Sequence, residues 1–458
     1  MSHLYQRQKS LNLTLISTLG ILLCLIMFWN CQPSDKQQDQ LIIISPHPEG
    51  IQTEFGDGFE KWYEQQTGRV VETDWRDSGG TSTNYRFIVS EFDRLPDGIG
   101  VDIVFGGGTD NYLRFADLGL LTSYKLPDSQ LEQIPQTYHG IPVYDAEHRW
   151  YGAVLSSFGI MYNEQLREIN NLPKVTRWDE LGDTALINNI GAADPRESGS
   201  AHMVYEIILQ THGWGKGFAL LTKLGGNVKK FSAGANEIPR SVVAGQVIYG
   251  LAIDFYAASQ IADIGADIIK YVLPVDGAVV NPDSIAILKG APNMDVAKKF
   301  VEYVLSEQAQ KLWMLPDTDP EGPNWSGGIN RSSVMPTLYE KYKGRYFVTN
   351  PFSPELTPFP YDSNIGSARW NILNDLFGVL IIDSHSELVD AWSEIGNSTD
   401  ENKRIAAIAA LVEMPLTEEE VMKIAKEEWK DQAYRNEKIK EWGQFAKQKY
   451  KKAKDLAK

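Results

Sequence analysis

Cysteine is almost missing from this chain: its 458 residues hold two, Cys24 and Cys31, both near the N-terminus. The body after them therefore has no disulfide, no thiolate metal site and no cysteine nucleophile. Positive charge is short as well. The net charge is −16 and no basic stripe stands out, which argues against nucleic acid as a partner. There is no Gly-x-Ser-x-Gly elbow and no His-Glu-x-x-His zinc helix, so nothing in the sequence points to an enzyme. Internal repeats and long low-complexity tracts are absent too.

One long uncharged apolar run is present, Leu11 to Trp29, behind Arg7 and Lys9. It is long enough to span a bilayer, and the basic flank stays on the cytoplasmic side. Residues 1–31 are thus read as a signal or anchor segment and 32–40 as a polar tether. Cys31 raises lipidation, although Phe28, Trp29 and Asn30 are not the small residues that usually precede a modified cysteine. The protein is expected in the periplasm or at the cell surface, held to the inner membrane through residues 11–31.

The rest has globular composition, 43% hydrophobic with 12 Trp and 20 Tyr, and is long enough for two or three domains. Leu41 to Ile44 is an unbroken apolar run, as in a strand buried on both faces, and ends in Pro46-His47-Pro48. Phe55, Phe59, Trp62 and Tyr63 mark one face of the next helix. Strands at Val70 and at Val101 to Phe105 end in the loops Trp75 to Ser82 and Gly106 to Asp110. Strands alternating with helices and closing in Gly- or Ser-rich loops predict an α/β fold of two doubly wound lobes joined by a hinge. The expected boundaries are 41–153 plus 275–345 for lobe 1, 154–274 for lobe 2 and 346–458 for a helical C-terminal extension. Tyr151 to Ser157 and Ile160 to Asn163 read as two strands leaving lobe 1, and Val296 to Trp313 as one helix. Thr417-Glu418-Glu419-Glu420 reads as a capping box opening one long charged helix, whose lysine-rich end, Lys447 to Lys458, reads as solvated.

The candidate site lies in the loops at strand ends, where open α/β sheets place ligands. Ala193 to Ser200 forms a strand–loop–helix junction whose Ser198, Gly199 and Ser200 offer hydroxyls and free N–H groups. Ser78, Gly79 and Thr81 in the second loop, and Gly107, Gly108 and Thr109 in the third, add further donors. His47 follows the first strand, Ser156 lies at the exit from lobe 1, and Asp254 and Tyr256 end the strand that starts near Gly245. Arg196 and Arg240 add charge-assisted bonds to an anion if they face the cleft.

Ser45-Pro46-His47-Pro48-Glu49, Trp150-Tyr151-Gly152, Ile160-Met161-Tyr162-Asn163, Pro173 to Leu181, Val275-Asp276-Gly277 and Phe300 to Ser306 carry a further signal in their order and spacing. Over about Leu41 to Trp313 the chain resembles the extracellular solute-binding proteins of ABC transporters, nearest the ferric-iron-binding branch. The resemblance implies a two-lobed clamp that closes on a small solute and docks on a membrane permease. An ATPase partner would supply hydrolysis, since this chain has no Gly-x-x-x-x-Gly-Lys-Ser/Thr loop. It also implies, for iron members, two adjacent tyrosines helped by a histidine and a carboxylate. Here His47 and Tyr256 match as possible metal ligands, but the neighbouring position is Phe255, which cannot ligate. Ferric iron as transported ligand and a small anionic or phosphorylated organic ligand both stay open, with no other cofactor expected. A membrane-anchored sensor presenting its bound state to a signalling partner is the alternative role.

Overall fold

Leu41 to Ile44 is apolar throughout because both faces of its strand are covered. In the computed structural model, which describes residues 38–458 except Ser78, Leu41 and Ile43 face one buried layer and Ile42 and Ile44 another. The strand begins at Gln38, inside the stretch read as a tether. Leu11 to Trp29 and Cys31 lie outside the described residues. Among the described ones no helix is long and apolar enough to cross a membrane.

The elements that place the site run in order as β1 (Gln38–Ile44), α1 (Glu49–Thr67), β2 (Val70–Arg76), α2 (Thr81–Arg94), β3 (Ile103–Gly108), α3 (Thr109–Asp117) and β4 (Tyr151–Asn163). Next come β5 (Ile190–Ala193), α4 (Gly199–His212), β6 (Val228–Ser232), β7 (Tyr249–Ile253), α5 (Asp254–Ile264), β8 (Ile269–Val272) and β9 (Val280–Leu288). One continuous sheet takes the order β2-β1-β3-β9-β4-β7-β5-β6, with β8 also on β4. The β2-β1-β3 pairs and the β7-β5-β6 pairs are parallel, while β9 and β4 join the two groups through antiparallel pairs.

β4 is the hinge. It was expected as two strands, but it runs unbroken for 13 residues, all buried. Its first half pairs with β9 in lobe 1 (Ser157 opposite Val280), and its second half with β7 in lobe 2 (Phe158 opposite Ile253). The stretch between β8 and β9 makes the second crossing. Each lobe has cores on both sides of its sheet, as double winding requires. In lobe 1, Phe55, Phe59 and Phe105 fill one side and Tyr85, Ile88 and Phe115 the other. In lobe 2, Ile160, Ile190 and Leu251 face one core, and Met161, Ala252 and Ile269 the other.

The C-terminal helices, α6 (Ser363–Phe377), α7 (His385–Asn397), α8 (Glu401–Leu411), α9 (Glu418–Glu427) and α10 (Gln432–Ala457), share the first of these lobe 2 cores. The Thr417 capping box is present, but the helix it opens stops at Glu427, and Asp431 caps a second one. The lysine-rich end is only half solvated: Ala446, Lys449, Tyr450, Ala453 and Ala457 are buried on one face. Val296 to Trp313 likewise divides, because Ser306 caps a new helix by accepting from Ala309 N.

Candidate ligand-binding cleft

Strand ends bring five helix starts to one cavity between the lobes, with a volume of about 270 Å³. Pro48, Gly80 and Gly108 precede α1, α2 and α3 from lobe 1, and Ser198 and Ile253 precede α4 and α5 from lobe 2; all five line it. Only Ser198 caps its helix with a side chain, accepting from Ala201 N at 3.3 Å. Each helix start carries unpaired N–H groups and the positive end of its dipole. The cavity wall is thus rich in donors suited to an anion.

Of the residues singled out in the sequence, His47, Gly79, Thr81, Gly107, Gly108, Ser156, Ser198, Gly199, Ser200 and Tyr256 line this cavity. Ser78 lies outside the described residues. Thr109 and Asp254 are not part of the wall. Thr109 is wholly buried in the first turn of α3. Asp254 turns its carboxylate back onto the hinge, where Oδ2 accepts from Ser157 N at 2.7 Å and Ser157 Oγ at 3.0 Å. Burial raises its pKa to about 6 despite these bonds. Arg196 also faces elsewhere: it pairs with Asp194 at 2.7 Å and Asp383 at 2.9 Å, fastening the Ala193–Ser200 loop to the C-terminal helices. Arg240 is exposed on another helix and does not line the cavity.

The lobes meet across the cleft. Ser82 Oγ donates to Pro195 O at 3.2 Å and Thr83 Oγ1 to Glu197 Oε2 at 2.8 Å, while Arg86 reaches both Arg196 O and Glu197. Contact is close enough to demand glycine. A Cβ on Gly199 would lie 2.9 Å from Thr81 Cβ, and one on Gly80 would lie 2.6 Å from Glu197 O.

Three carboxylates stand at the wall, and each has a partner. Asp77 accepts from Gly79 N, Glu197 from Thr83 and Arg86, and Asp283 from Arg331. Burial alone would raise Asp283, but the Arg331 guanidinium and His47 hold it well below the usual carboxylate range. His47 is lowered, chiefly by burial, so its ring is neutral near pH 7. Burial pushes the Tyr256 phenol up to about 12, which keeps it protonated. Among the described residues no three His, Cys, Asp or Glu side chains gather as a metal site would require.

Asp283, Arg331, Glu197 and Asn281 escaped the sequence reading. Asp283 had one signal, as the only acidic residue in the apolar strand Val280–Leu288. Arg331 had none, because it belongs to no helix or strand.

Residues 101–317 match the family of bacterial extracellular solute-binding proteins. Over 78% of its length the chain superimposes on 98% of the periplasmic binding protein AfuA of Actinobacillus pleuropneumoniae, with a TM-score of 0.59 at 20% identity. This chain has the fold of the periplasmic binding proteins. The iron-bound HitA of Pseudomonas aeruginosa shares that fold, with a TM-score of 0.54 at 18% identity over 74% of this chain and 99% of HitA. In sequence, the phosphoglycerate transport regulatory protein PgtC of Salmonella typhimurium is 26% identical over 158 residues, 34% of this chain and 39% of PgtC. The periplasmic-binding-protein fold accounts for the two crossings and for a cavity formed by both lobes. Its relatives differ in what they hold, since AfuA was solved with fructose-6-phosphate and HitA with iron.

Proposed function

We propose that this protein captures a small anionic solute, organic or phosphate-bearing, and delivers it to the permease and ATPase of an ABC importer. The observation that carries the reading is the convergence of five helix starts on one interlobe cavity of about 270 Å³. Helix N-termini favour negative charge, and five together favour it from several sides. The pairing of Glu197 with Arg86 and of Asp283 with Arg331 supports the same reading, because two of the three carboxylates at the wall are opposed by a cation. PgtC and AfuA add support by what their names record, phosphoglycerate and fructose-6-phosphate.

Capture works by closure. Contacts such as Thr83 with Glu197 form only when the lobes meet, so a ligand that bridges them shifts the balance toward the closed form. Residues 11–31 hold the protein to the inner membrane, on its outer side. The test is calorimetric titration of the full-length protein with phosphate monoesters and small carboxylates, with small-angle scattering to follow closure. Saturable binding of one equivalent with a reduced radius of gyration is the expected result. Absence of any anion binding, together with a charge-transfer band on adding ferric citrate, would replace this reading with iron capture.

A further inference from the structure

Arg331 is wholly buried, with one imidazole, one carboxylate and one hydroxyl around its guanidinium. Nη1 lies 3.2 Å from His47 Nε2, and Nη2 donates to Ser156 Oγ at 2.6 Å and to Asp283 Oδ2. His47 Nε2 is itself 3.5 Å from that Asp283 oxygen. An imidazole nitrogen, a carboxylate oxygen and a hydroxyl therefore gather on one cation. Hard and borderline metals take that same set of donors.

The position is filled instead by a group that carries its own charge permanently. The aromatic neighbours fit this occupant. Phe255 covers the guanidinium at 4.4 Å from its ring centroid, and Trp313 lies 5.4 Å away on the same cation. A phenyl ring offers its negative face to a guanidinium, whereas a metal would require an oxygen there. Phe255 is thus matched to Arg331.

We infer that Arg331 is the residue that decides the charge of the ligand. It is a resident cation that occupies the place between His47 and Asp283, excludes metal ions by charge and by volume, and commits the cleft to anions. The inference deepens the proposed function and rests on it for the anion alone. The wall residues His47, Ser156, Asp283 and Phe255 all line the cavity, so the neutralised pair sits directly beside the ligand space. Asp283 is ionised but satisfied, and its pairing with Arg331 leaves the helix starts to set the local potential.

The experiment uses full-length protein, with Co(II) and ferric citrate as metal probes and inorganic phosphate as the anion probe. By equilibrium dialysis and visible absorption, the wild type is expected to take up no metal at neutral pH. Arg331→Met should gain one equivalent of Co(II), at least about tenfold tighter than the wild type, and should lose it again when His47→Gln is added. Stoichiometric metal binding by the wild type that His47→Gln abolishes would overturn the inference. So would a cooperatively melting Arg331→Met that stays metal-free. If Arg331→Met does not fold, the wild-type titration decides alone: no metal uptake upholds the inference, and His47-dependent uptake overturns it. The phosphate titration separates the two ideas. Phosphate binding by the wild type without metal gain in the variant would remove only the role of Arg331. Metal gain in the variant without any wild-type anion binding would remove only the anion.

Discussion

The phenol of Tyr361 donates to the buried carboxyl of Asp110, joining the C-terminal layer of lobe 2 to the first turn of α3 in lobe 1. That turn begins at Gly108, on the cavity wall. The bond therefore spans the lobes, as the Ser82–Pro195 contact does.

A pH dependence follows. Burial pushes the Asp110 carboxyl up to about 8, aided by the charge of Glu206 and opposed by the bonds from Tyr361 and Ser363 and by Arg114. In the unfolded chain the group loses its proton near 3.8. Between those values the folded state holds a proton that the unfolded state does not, so stability falls as pH rises from about 4 to about 8. Asp110→Asn removes this slope. Melting temperatures of the two proteins should converge or cross in favour of the variant between pH 5 and pH 8, and parallel curves would refute the assignment.

Gly199 approaches Thr81 across the cleft so closely that a Cβ on it would lie 2.9 Å from Thr81 Cβ. Gly199→Val should cost about 1–3 kcal/mol in the closed form alone, or roughly tenfold or more in affinity for a phosphate monoester. The melting temperature of the ligand-free protein should move little. An unchanged affinity by calorimetry would mean that the cleft closes elsewhere.

Tyr256 lines the cavity with its phenol protonated. Tyr256→Phe should weaken anion binding by about 1 kcal/mol, roughly fivefold, as for one neutral hydrogen bond. Between pH 7 and pH 10 the wild-type affinity should show no step from this group, because its pKa stands near 12.

Glu206 and Arg369 are both wholly or almost wholly buried and paired at 2.7 Å, with Glu418 on the other side of the guanidinium. Arg369→Met strands Glu206 and should destabilise the protein by about 3–5 kcal/mol in a denaturant melt. Glu418→Gln, at a half-exposed carboxylate, should cost less than about 1 kcal/mol. Equal effects would mean that Glu206 finds another partner.

Much of the fold was legible because burial on two faces leaves unbroken apolar runs such as Leu41 to Ile44, and strand ends must close in permissive loops. The hinge strand was not. Phe158-Gly159 reads as a break, yet the strand continues because neighbours on both sides supply its hydrogen bonds. Gly159 is small for a packing reason, since a Cβ there would lie 2.4 Å from Val272 O. At the cleft, loop glycines and serines were visible from composition and position. Arg331 was not, because its partners His47, Ser156 and Asp283 lie 284, 175 and 48 residues away along the chain. No local pattern records a pairing of that kind. Arg196 failed for the converse reason: its loop was located, but Asp383, which turns it away, is 187 residues distant.

Asp254 ties the first turn of α5 to Ser157, at the middle of the strand common to both lobes. In a clamp that closes by rotation about that strand, as proposed above, the points nearest the axis travel least, which puts Phe255 and Tyr256 on the part of the cleft that moves least.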